Sequence, residues 1–72
     1  MTGSEWIALF AERLGLPPLD EATMDALLEL ASVAAHSSER LAAPLACHLV
    51  GVAGLAPVEA LALAREVGPA AP

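Results

Sequence analysis

Residues 20–38 read DEATMDALLELASVAAHSS, and only a helix accommodates them. Asp20 can accept the free amide hydrogen bonds of a first turn, and Glu21 complements the helix dipole there. Neither Gly nor Pro interrupts the run. Met24, Leu27, Leu28, Ala31, Ala34 and Ala35 recur at the three- and four-residue spacing of an inward stripe, with Asp25 and Glu29 on the outer side. The stripe becomes small toward its C-terminal end, which lets another helix approach closely. His36-Ser37-Ser38 ends it.

Three further helices follow from the punctuation on either side. Upstream, a helix is expected from Gly3 or Ser4 to Leu14, with Trp6, Ile7, Phe10 and Leu14 on its apolar face. Thr2 and Glu5 have capping-box spacing. Gly15 supplies a left-handed stop, and Pro17-Pro18 forbid continuation. Downstream, a turn over Ser37–Leu41 leads to a helix from Ala42 or Ala43 to about Ala53, with Pro44 in its first turn. Its expected inward residues are Leu45, Leu49 and Val52, and Gly51 and Gly54 either permit close packing or begin the exit. The last helix starts at Pro57 and stops at Gly68-Pro69, leaving Ala70–Pro72 as a tail. Val58, Leu61, Leu63, Ala64 and Val67 spread round it, which marks it for contact with a second chain. The reading is an all-α fold: one compact four-helix domain over residues 1–72, with short loops and an ordered core of about residues 4–67.

Composition narrows the function. Seventeen alanines and thirteen leucines stand in 72 residues, and Lys, Asn, Gln and Tyr are absent. A chain this short buries only about 60% of its surface on folding and is marginal alone. Association, as a homodimer or on a protein partner, would cover more of it. Nine acidic against three basic residues give a net charge of −6, which argues against nucleic acid and anionic membranes as partners. Leu41–Val58 is too broken by Pro44, His48, Gly51, Gly54 and Pro57 for a membrane span. Met1–Glu5 lacks the charge and apolar run of a signal peptide, so a cytoplasmic location is expected.

Side chains able to do chemistry are few. His36, Cys47 and His48 are the only soft ligands, and adjacent Cys47 and His48 point about 100° apart on a helix. Neither a metal site nor a cofactor is expected. No third group orients a nucleophile–base pair, and phosphate-cradling glycine loops are missing, so the chain is read as not an enzyme. Cys47 reads as a small core hydrophobe. The richest polar cluster is His36, Ser37, Ser38 and Arg40, where two hydroxyls, an imidazole and a guanidinium meet a helix start. It could touch a partner or hold an anion such as a phosphate; alternatively His36 satisfies carbonyls of its own helix. Trp6, Leu63 and Val67 are candidate interface residues, Trp6 also being a candidate core anchor.

Three stretches carry a family resemblance. They are Glu5-Trp6-Ile7 with Leu14-Gly15-Leu16; Leu27-Leu28-Glu29-Leu30-Ala31 leading to Ala35-His36; and Arg40 followed by Ala42-Ala43-Pro44-Leu45 and Leu49-Val50-Gly51. Their order resembles a short actinobacterial helical domain family of unknown function, found alone or fused to or encoded beside molybdenum cofactor guanylyltransferases. His36, Arg40 and Pro44 fall on its most distinctive positions. The chain departs from its pattern at Leu41, where a second proline is usual, and at Cys47-His48. The resemblance implies a cytoplasmic module of molybdopterin guanine dinucleotide biosynthesis with no activity of its own. The expected function is a non-catalytic interaction or accessory module, whose partner could be a molybdenum cofactor nucleotidyltransferase. The alternative is a small carrier binding a pterin or nucleotide phosphate at the His36–Arg40 corner.

Overall fold

The computed structural model describes residues 1–68, and Pro69 with the Ala70–Pro72 tail lies outside them. Four helices follow one another: α1 (Gly3–Arg13), α2 (Glu21–Ser37), α3 (Ala42–Ala53) and α4 (Pro57–Val67), with no strand among the described residues. The domain is all-α and compact, with short connections.

Each boundary has a local cause. At α1 the capping box forms in both directions: Glu5 N–H donates to Thr2 Oγ1 at 3.1 Å, and Thr2 N–H donates to Glu5 Oε1 at 3.0 Å. α1 ends in a Schellman turn, with Gly15 at φ 76°. Leu16 N–H bonds the Ala11 carbonyl at 2.9 Å, and Gly15 N–H bonds that of Glu12 at 3.0 Å. Asp20 Oδ1 accepts from Thr23 N–H at 2.7 Å to start α2. α3 ends at Gly54, whose φ of 70° is the left-handed conformation a side chain would strain. Pro57 opens α4.

Packing is centred on α2, which lies against both α3 and α4. Leu30 is the most deeply buried large side chain, 2% exposed, and Ala11, Ala26 and Ala60 complete the buried set. α3 turns its small side to α2: Ala42, Ala43, Ala46, Cys47 and Val50 are half-buried. That half-buried side is built mostly of alanine, so little apolar bulk is enclosed.

Several expected inward residues therefore lie outside. Leu28 is 69% exposed, and Leu45, Leu49 and Val52 are 57%, 64% and 71% exposed. Both faces of α3 are apolar, so periodicity alone could not choose between them, and α2 receives the smaller face. Trp6, at 53% exposed, is not a core anchor of this chain, because α1 packs only lightly on the other helices. Gly51 is not a close-packing site either, since a methyl group added there meets nothing within 4 Å. The exit belongs to Gly54.

Candidate functional site

The polar corner between α2 and α3 is assembled mainly from capping bonds. His36 Nδ1 lies 2.8 Å from the Ser32 carbonyl oxygen and 3.1 Å from Ser32 Oγ, so with Nδ1 protonated the ring donates to its own helix. Ser38 Oγ–H donates to the Ala34 carbonyl at 2.8 Å. At the start of α3, Ala42 N–H bonds the Glu39 carbonyl at 3.0 Å and Ala43 N–H bonds that of Arg40 at 3.1 Å. Pro44, the next residue, has no N–H. These bonds engage several of the donors an anion would use. The side-chain groups that remain for one are the exposed Arg40 guanidinium, the Ser37 hydroxyl and His36 Nε2.

Cys47 is half-buried, and its neighbour His48 is exposed. No group of three or more His, Cys, Asp or Glu side chains among the described residues is arranged to hold a metal ion. Nor is any described helix long and apolar enough to cross a membrane. Arg65 Nη2 reaches Glu29 Oε1 at 3.4 Å, tying α4 to α2 across solvent. Such an exposed pair contributes about 0–1 kcal/mol.

The larger features of the surface are apolar. On α1, Trp6, Phe10 and Leu14 are each about half exposed, with the Trp6 and Phe10 rings 5.2 Å apart. Between α1 and α2 lies a groove of about 450 Å³, lined by Ile7, Leu19, Met24, Leu27 and Leu28. On α3, Leu41, Leu45 and Val52 form an outer stripe spaced four and seven residues apart, flanked by Leu49.

A further feature is a seam of about 240 Å³ between α3 and α4, with Leu30 at its base. Leu49 and Leu55 line one side, Leu63 and Val67 the other. Of the expected interface residues, Leu63 and Val67 thus share this seam, while Trp6 stands on α1. The outer stripe of α3 escaped the sequence reading. Its signal was present in the alternation of Leu41 and Leu45 with Ala42 and Ala46, two apolar faces of unequal size on one helix.

Two electrostatic features accompany the caps. The Glu5 carboxyl is held below its usual range by the Thr2 backbone N–H and then by the Thr2 side chain. Asp20 is likewise lowered by Thr23, through its side chain first and its amide second. Both serve helix ends and neither faces a site.

A family model described as a domain of unknown function, DUF6457, matches residues 1–72, and the chain belongs to that family. No curated protein and no solved structure matches it.

Proposed function

We propose that this DUF6457 chain is a non-catalytic interaction module that docks on a partner protein through the outer stripe of α3. The observation behind this reading is that Leu41, Leu45 and Val52 are 58%, 57% and 71% exposed on one face, while alanines fill the opposite face of the same helix. Burying a leucine side chain on association contributes about 1.5–3 kcal/mol, so three or four such residues can anchor a complex. The catalytic inventory is poor by contrast: Cys47 is half-buried, and His36 and Ser38 bond carbonyls of α2.

The partner proposed is a molybdenum cofactor guanylyltransferase, with the module acting as an accessory of molybdopterin guanine dinucleotide biosynthesis in the cytoplasm of an actinobacterium. Support for this partner comes from the resemblance carried by Glu5-Trp6-Ile7, Ala35-His36 and Arg40 through Pro44-Leu45. The test is interferometric binding of the purified chain to such an enzyme, with the double variant Leu45→Glu, Val52→Glu as comparison. Saturable micromolar binding that weakens at least tenfold in the variant is the expected result. No binding at 100 µM would remove this partner.

A further inference from the structure

Taking the apolar faces as surfaces to be covered by protein, we infer that α1 of a second copy of this chain lies in the seam between α3 and α4, in a reciprocal exchange of helices. Three observations lead there.

The first is an area. A folded monomer of 7.3 kDa exposes roughly 4,200 Å², whereas this chain exposes 5506 Å². The excess is about 1,300 Å² per copy, or about 2,600 Å² for a pair, within the range of obligate homodimer interfaces.

The second is shape. α2, α3 and α4 form three sides of a bundle with an open seam over Leu30, walled by Leu49, Leu63 and Val67. α1 and α4 have 11 residues each, so an added α1 of roughly 16 Å matches the wall it would lie beside. The chain's own α1 approaches a different side of α2: Ile7 shares its groove with Met24 and Leu28. Leu28 and Leu30 are about 200° apart around α2. The connection Leu14–Asp20 contains Pro17-Pro18, which restrict the backbone and hold α1 outboard. A stiff hinge that keeps a helix from its own bundle favours exchange between copies.

The third is charge. Arg13 flanks the Trp6–Phe10 stripe, one turn beyond Phe10, and is exposed. On α4, Glu59 and Glu66 stand one turn before and after Leu63, also exposed. Arg13 on the inserted helix thus meets an acidic rim on the seam, although α1 also carries Glu5 and Glu12 and the chain as a whole is acidic. Two copies related by a two-fold axis satisfy both seams at once.

The test uses the full chain with Cys47→Ser as background. Chains carrying Phe10→Cys are mixed with chains carrying Leu63→Cys and oxidised. The expected product is a disulfide-linked heterodimer, absent when either chain is treated alone. An intrachain bond in the double variant Phe10→Cys, Leu63→Cys, α1 then closing on its own seam, would overturn the inference. So would linkage of Phe10→Cys chains to each other in preference to Leu63→Cys chains.

Sedimentation supplies the second measurement. The unmodified chain is expected at twice its monomer mass at 50 µM, and Leu63→Glu should weaken the dimer at least tenfold with helical circular dichroism retained, because Leu63 is 52% exposed in the single copy. A monomer at 50 µM refutes the exchange. That result would leave the α3 stripe untouched, since enzyme binding and its loss in Leu45→Glu, Val52→Glu are read independently of mass.

Discussion

Trp6 and Phe10 stack on one another at 5.2 Å between ring centroids, tilted by 33°, while each remains about half exposed. The pair is one turn of α1 apart, so the helix itself creates the contact. An aromatic pair built locally and left uncovered is available to a second surface, and it makes α1 easy to observe.

Trp6 is the only tryptophan, so its fluorescence reports on α1 alone. Emission is expected to shift to the red on dilution through the dissociation range, as the indole passes from a covered to a half-exposed setting. Trp6→Ala should change the stability of the single copy by less than about 1 kcal/mol, the usual range for a surface site, while weakening self-association at least tenfold. A large loss of monomer stability would place the ring in the core after all.

Leu30 and Leu45 offer the opposite contrast. Leu30→Ala removes the one large side chain that is fully enclosed and is expected to cost about 2–5 kcal/mol. Leu45→Ala, at a half-exposed position, should fall within about 0.5 kcal/mol of the parent. Chemical denaturation of the two variants measures this directly, and equal losses would contradict the inside-out arrangement of α3.

Gly51 within α3 and Gly54 at its C-cap should respond with opposite signs. Gly51→Ala places a methyl in open space within a helix and is expected to stabilise by about 0.5–1 kcal/mol. Gly54→Ala forces a side chain onto a φ of 70° and is expected to destabilise by about 1 kcal/mol. Thermal melts of both variants decide it.

The caps give the chain an acid limit. Glu5 and Asp20 have folded-state pKa values below their unfolded ones, so the stability they contribute is present at neutral pH. It is lost as pH falls below about 5 and through the lowered values. Thr2→Ala should cost about 1 kcal/mol at pH 7 and flatten part of that acid dependence. Melting temperature against pH, compared between parent and variant, is the measurement; an unchanged melting temperature at pH 7 would deny the cap its role.

The helix boundaries were legible in the sequence because each is set by residues adjacent in the chain. Thr2 with Glu5, Gly15, Asp20, Gly54 and Pro57 each act within one turn of their own position. Which face of a helix turns inward is a different question. On α2 the stripe through Met24, Leu27 and Leu28 was visible, but the enclosed positions are Ala26 and Leu30. On α3 the leucines were expected to lead, yet the half-buried side is the one built mostly of alanine. Size complementarity between two helices is not written in either alone. The polar corner was legible as a cluster, while its hydrogen-bond directions, which turn it toward helix capping, required coordinates.

The outward leucines of α3 have a consequence for the life of the chain in a cell. Quality-control systems recognise apolar side chains that lack cover, and a copy without company displays Leu41, Leu45 and Val52 to them. Binding hides that signal and stabilises the bound form by mass action. Surplus copies are therefore expected to be the ones removed, and abundance to follow whatever supplies the cover.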